Sequence, residues 1–86
     1  MPCFTYVLYS VKFEEIYIGQ TNNLAIRLAK HNAGLVRSTK AFVPWILLYF
    51  EELTTRGEAI RREKELKSHQ GRLFIRNLIL NRPHHV

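Results

Sequence analysis

The stretch EEIYIGQTNNLAIRLAKHNAG, residues 14–34, changes its period halfway along, and that change decides the fold. IYIGQ (16–20) is short and β-prone, and Tyr17 points away from Ile16 and Ile18 because strand side chains alternate between faces. TNNLAIRLAKHNAG (21–34) then opens on capping residues and closes at Gly34, the punctuation of a helix of about three turns. In that helix Leu24 and Leu28 share one face, while Arg27 and His31, also four apart, share another. Taken singly, a strand tyrosine is usually packed with its hydroxyl satisfied, and an Arg–His pair on a helix is usually a solvated face. The case for function has to come from the set.

Working outward, CFTYVLYSV (3–11) is rich in aromatic and β-branched residues and alternates, with Phe4, Tyr6 and Leu8 on one side and Thr5, Val7 and Tyr9 on the other. It pairs most simply with IYIGQ as an antiparallel hairpin across the polar KFEE. LVRSTKAFVP (35–44) reads as a basic loop, and WILLYFEEL (45–53) as a continuously apolar strand to be covered on both faces. Thr55 with Glu58 three positions later has capping-box spacing and starts a second helix. Its buried stripe runs through Ala59, Glu63 and Leu66, which puts a carboxylate where the period asks for an apolar side chain. Gly71 is expected to break this helix, and RLFIRNLIL (72–80) supplies a third, with Phe74 and Leu78, then Ile75 and Ile79, at i,i+4 spacing. NRPHHV (81–86) reads as a frayed tail. The order β-β-α-β-α-α predicts an α+β fold, an α/β sandwich in which a small three-stranded, mainly antiparallel sheet is flanked by three helices.

Composition bounds the function classes. With 86 residues, 47% of them apolar, the chain is expected to form one domain, residues 1–86, whose core and function share the same few elements. One cysteine, Cys3, cannot form an internal disulfide, and MPCFTY lacks the pattern of a secretory signal. The apolar run VPWILLYF is far shorter than the roughly 20 residues that span a bilayer. The expectation is a soluble cytoplasmic protein with no membrane association and no small-molecule cofactor. Thirteen Lys and Arg against seven Asp and Glu give a net charge of +6, which favours polyanionic partners. Eight of those cations lie in residues 56–82, against three glutamates there. A basic helix by itself is more often a solvated face than a binding surface.

YIG at Tyr17, Ile18 and Gly19, preceded by FTYVLYS and followed by TNNLAIRLAKHNAG and EAIRREKELK, resembles the GIY-YIG nuclease superfamily, and in particular its small single-domain bacterial branch. The resemblance runs from Phe4 to about Ile79, and order, spacing and expected elements agree together. It implies catalytic roles for Tyr6 and Tyr17, the two motif tyrosines, for Arg27 and His31 on the first helix, and for Glu63 as the metal-binding acid. The first motif reads Phe4, Thr5, Tyr6 in place of Gly, Ile, Tyr, and Gln20 stands where some DNA-repair members have a lysine.

Hydrolysis of a phosphodiester needs an activated water, stabilisation of charge on the phosphoryl oxygens and relief of charge on the departing 3′ oxygen. Glu63 suits a single hard divalent ion, Mg²⁺ or Mn²⁺. Arg27 offers a planar fork of donors that matches two phosphate oxygens. For the base, tyrosine and histidine compete: a free phenol titrates near about 10 and an imidazole near about 6.5, so Tyr17 is read as the water-positioning group and His31 as base or relay, with Tyr6 an alternative. Glu63 could instead simply pair with Lys67.

The expected substrate is DNA, or RNA, held by phosphate contacts from Arg37 and Lys40 in the loop and Arg61, Arg62, Lys64, Lys67 and Arg72 on the helices. Such contacts read structure more than sequence, which points to an endonuclease-like role on branched, flapped or single-stranded forms in repair or recombination. Two rivals remain: a module that keeps the fold and binds nucleic acid without cleaving it, and a domain that meets an acidic protein. His69 reads as a capping residue at a helix junction, Cys3 as packing, and His84 with His85 as at most an adventitious metal site.

Overall fold

β1 (Cys3–Ser10) is the central strand in a computed structural model of the protein, which describes residues 2–82. β2 (Glu15–Thr21) and β3 (Ile46–Leu53) flank it, both antiparallel, in the order β2-β1-β3. The helices are α1 (Leu24–Asn32), α2 (Arg56–Leu66) and α3 (His69–Asn81), so the β-β-α-β-α-α order and the α+β architecture are as expected.

The period-2 pattern of β1 divides the core in two. Tyr6 and Leu8 face Trp45, with Leu24 and Leu28 of α1 and Tyr17 of β2 packed around them. Val7 faces Leu66 of α2 and Ile75 of α3, joined by Ile18, Tyr49 and Ile79. One face of the sheet therefore belongs to α1 and the other to α2 and α3. This arrangement buries both faces of β1 from Thr5 to Ser10. Coverage on both faces was expected of the 45–53 strand, and there the structure differs: β3 is an edge, with Ile46 and Phe50 exposed. Its apolar run serves instead to pack Leu47 on one side and Leu48 with Tyr49 on the other. The 35–44 segment is also less irregular than its composition suggests, since Lys40–Phe42 form a 3-10 turn.

Asn23 caps α1 by accepting from the Ile26 N–H, and Thr55 and Glu58 close the expected capping box on α2. The break between α2 and α3 falls at Lys67 and Ser68 rather than at Gly71. Ser68, not His69, is the cap, and it accepts from the Gly71 N–H. Gly71 lies inside the first turn of α3, where a Cβ would stand 2.2 Å from the Leu66 carbonyl oxygen and 2.4 Å from that of Glu65. The glycine is there because α3 starts against the end of α2, not because the chain needs an unusual dihedral. The expectations for Pro83–Val86, including His84 and His85, fall outside the described residues.

Gly71→Ala should destabilise the fold by about 1–3 kcal/mol, because two backbone carbonyls have to move. In a chain of this size each kcal/mol lowers the melting temperature by about 4–8 °C, and a thermal melt within error of wild type would refute the packing account.

Candidate active site

β1 and β2 place Tyr6 directly opposite Gly19 and Leu8 opposite Tyr17, so both motif tyrosines project from the α1 face of the sheet. Their ring centroids lie 6.2 Å apart. The glycine between them is what permits this: a Cβ on Gly19 would be 2.7 Å from Tyr6 Oη and 2.9 Å from Tyr17 Cε2. Gly19 thus leaves room for two phenols where a side chain would have parted them.

α1 lays His31 and Arg27 over this pair. His31 and Arg27 both lie beside Tyr6, as their shared helical face predicts, but His31 is not a solvated residue: it is fully buried, and its Nε2 lies 3.0 Å from Tyr6 Oη. Its ring centroid is 4.9 Å from that of Tyr17. On its other side Nδ1 is 2.8 Å from Thr39 Oγ1, and Thr39 in turn donates to the Val36 carbonyl at 3.3 Å. With the Thr39 proton on that bond, the ring is assigned the tautomer in which Nδ1–H donates to Thr39 and Nε2 accepts the Tyr6 proton. Burial, with the Arg27 charge adding to it, pushes the His31 pKa below the ordinary imidazole range, consistent with a neutral ring. Burial also raises the Tyr6 phenol, against the pull of the Arg27 guanidinium beside it. The Arg27 pKa is raised, first by the Tyr6 phenol against the cost of burial, with Tyr17 adding less.

Glu63 stands apart from these four. It lies on α2, and its link to the cluster is electrostatic: its charge adds the least of the upward pushes on the Tyr6 pKa. The position that broke the apolar stripe is half-buried between Ala59 and Leu66, and its Oε2 accepts from Lys67 Nζ at 2.7 Å. Among the described residues no group of three or more His, Cys, Asp or Glu is placed to hold a metal ion. A lone carboxylate still fits a hydrated Mg²⁺ or Mn²⁺, which keeps most of its waters and takes one or two protein oxygens. Lys67 must then release Oε2 or leave the other oxygen to the ion.

The basic residues divide. Arg37, Lys40, Arg61, Lys64 and Arg72 are exposed. Arg62 is not free in the same way: its Nε donates to Glu51 at 2.8 Å and its Nη1 to Glu65 at 3.4 Å, tying α2 to β3. A cleft of about 910 Å³ opens between β2 and α3, with Lys67, Arg72 and Arg76 around Ile16, Ile18 and Ile79, and Tyr17 at its margin.

Two contributors were not legible beforehand. Thr39, taken for part of a basic loop, orients the His31 ring. Asn32 accepts from the Trp45 N–H at 2.6 Å and donates to its carbonyl at 3.0 Å, which pins the start of β3 to the end of α1 and closes the loop that carries Thr39. Neither has a sequence signal beyond its polarity.

Fold and cluster define a class, and comparison with known proteins agrees. A family model described as the GIY-YIG catalytic domain matches residues 2–77. The chain belongs to the GIY-YIG domain family, within its UPF0213 group. It is 41% identical over 64 residues to a UPF0213 protein of Staphylococcus haemolyticus, covering 71% of this chain and 78% of the relative. It is 36% identical over 66 residues to one from the archaeon Natronomonas pharaonis, 76% of each chain being covered. Its fold matches the solution NMR structure of a UPF0213 protein from Bacillus halodurans with a TM-score of 0.53 and 27% identity, over 91% of this chain and 85% of that one. Domains of this family are in general endonucleases that use divalent metal ions on nucleic acid. No described helix is long and apolar enough to cross a membrane.

Because His31 resists protonation when folded but takes a proton near about pH 6.5 when unfolded, folding stability should be level above about pH 7.5 and fall as the pH drops through about 6.5. Urea denaturation from about pH 8 to 5.5 should show this slope in the wild type and its loss in His31→Gln. Parallel curves for the two proteins would contradict a buried neutral imidazole.

Proposed function

We propose that the protein is a metal-dependent endonuclease that hydrolyses phosphodiester bonds in DNA, directed by structure more than by sequence. The observation that carries this reading is the buried Thr39–His31–Tyr6 chain ending at a phenol that faces Arg27 and Tyr17. A purely structural tyrosine would need a single partner for its hydroxyl. This one donates to a neutral imidazole and keeps its oxygen lone pairs for a second proton donor, next to a guanidinium suited to phosphate.

The half-exposed Tyr17 and the Arg27 fork orient the scissile phosphate and the attacking water. As the water oxygen bonds to phosphorus, its proton passes to Tyr6 Oη while the Tyr6 proton passes to His31 Nε2. His31 and Tyr6 are both buried, at 0% and 2% exposure, so the attacking water reaches the Tyr6 hydroxyl by way of a phosphate seated at the half-exposed Tyr17 and Arg27, and His31 acts only through Tyr6. Arg27 stabilises the charge growing on the non-bridging oxygens. The P–O3′ bond breaks, leaving a 5′ phosphate and a 3′ oxygen that is protonated from solvent. A divalent ion at Glu63 would relieve the charge on that departing oxygen. Arg37, Lys40, Arg61, Lys64 and Arg72 supply sequence-independent phosphate contacts, whereas Arg62 chiefly holds α2 in place. A role in repair or recombination fits cleavage of irregular DNA through contacts that are all to phosphate.

The test is cleavage of a panel of duplex, flapped, branched and single-stranded DNAs and of RNA, with and without Mg²⁺ or Mn²⁺, at two salt concentrations. Glu63→Gln should lose cleavage by about a hundredfold or more and keep DNA affinity, since an acceptor oxygen remains but the charge that holds the ion does not. Equal cleavage by variant and wild type would sink the metal role. Salt-insensitive binding would remove the electrostatic account.

The pH dependence carries a sign. His31 must be unprotonated to receive the proton, and its pKa is lowered, so the acid limb of kcat should have its midpoint below about 6.5. A midpoint above the ordinary imidazole value would assign that limb to another group.

A further inference from the structure

Thr5 occupies the middle of the first motif, where the family resemblance has isoleucine, and the structure gives its hydroxyl a defined task. The residue is fully buried on the α2 side of β1, two positions before Val7, and its paired residues on the flanking strands are Gln20 and Glu51. Its Oγ1 donates to the Ala59 carbonyl at 2.8 Å, joining residues 54 apart in sequence. Ala59 lies within α2, so the same carbonyl also accepts the backbone N–H four residues on, which is that of Glu63. One oxygen therefore receives both the strand and the turn of helix that carries the acid. A valine would fill the same space, and the Ala59 carbonyl already has its helical partner, so neither packing nor satisfaction of the carbonyl calls for a hydroxyl here. What the hydroxyl adds is direction: it fixes how far α2 can slide or turn against β1.

The next residue in β1 is Tyr6. We propose that Thr5 is a positioning residue that sets Glu63 against the tyrosine pair, so that the strand bearing the phenol also fixes the helix bearing the acid. The inference rests on the nuclease reading above. The acid and the phenols are carried by different elements, α2 and the β1–β2 pair, and among the described residues no hydrogen bond joins Glu63 to Tyr6 or Tyr17 to hold their spacing. A hydrogen bond from the residue adjacent to Tyr6 to the turn preceding Glu63 supplies that constraint. The Arg62–Glu51 pair, one residue before Glu63, holds the other flank of α2 to β3. Thr5 and Arg62 thus bracket the acid from the central and the edge strand.

The experiment uses Mn²⁺ alone as a paramagnetic probe, followed by NMR on the full chain, beside steady-state cleavage. In wild type, Mn²⁺ should broaden the Tyr6 and Tyr17 ring resonances, and Glu63→Gln should remove the effect. Failure of that arm defeats the metal part of the nuclease reading, and the Thr5 assignment with it. Given that arm, Thr5→Val should keep its fold and its KM for DNA, lose about tenfold in kcat, and change the ratio of Tyr6 to Tyr17 broadening. Thr5→Ser, which restores the donor, should recover the wild-type ratio and most of kcat. A Thr5→Val protein with wild-type broadening and kcat would overturn the assignment while leaving the nuclease reading intact. So would a Thr5→Ser protein that behaves like Thr5→Val. Should Thr5→Val not fold, Thr5→Ala takes its place with the same two outcomes.

Discussion

A neutral imidazole buried beneath the sheet's α1 face is the constraint on which the rest of this molecule is arranged. An uncharged histidine in the interior needs a donor for one nitrogen and an acceptor for the other, and leaving either unmet costs about 1–3 kcal/mol, a large share of a small domain's stability. Tyr6 supplies the donor and Thr39 the acceptor. Meeting both demands ties together the central strand, the first helix and the 35–45 loop. Asn32 and Trp45 then hold that loop shut, with the indole N–H donating to the Thr39 carbonyl at 3.0 Å. The polar chain that serves as the proposed proton path is the same one that stabilises the core.

This double use follows from size. A chain of 86 residues has no separate region in which to place a reactive cluster, so its reactive groups share the core with Leu8, Leu24 and Leu28. Burial in turn sets their chemistry. The low dielectric that keeps His31 neutral also raises Tyr6, so at neutral pH both groups are uncharged, and the charge separation that a proton transfer between them would create is opposed by burial and eased by the Arg27 charge beside the phenol. The glycine of YIG belongs to the same economy: it contributes no group, only the space in which two phenols meet.

α2 presents the opposite solution. Glu63 is kept half-exposed and partnered by Lys67, and its helix is fastened by contacts on either side of it, Thr5 to Ala59 and Arg62 to Glu51. Some residues that composition marks as nucleic-acid ligands thus have structural employment. Arg62 carries a positive charge like Arg61, yet its partners on β3 and within α2 make it a tether. Charge counts do not distinguish the two, because the difference lies in what the neighbouring strand offers.

The sequence by itself determined the order and type of the elements, the alternation of β1, the capping box at Thr55, a capped start to α1 within 21–23, and the presence of two tyrosines, an arginine, a histidine and a misfit glutamate in a family pattern. Each of these is local, governed by backbone periodicity and short-range hydrogen bonding, and so it is written within a few residues. Which strand would be central was not: the apolar run of 45–53 read as covered on both faces, and only pairing on both sides made β1 the core strand. Nor could spacing show that His31 turns inward to Tyr6, that the helix break falls at Ser68 rather than Gly71, or that Thr5 reaches Ala59. Those outcomes depend on partners tens of residues away, whose positions exist only once the sheet and its two helical layers have closed on one another.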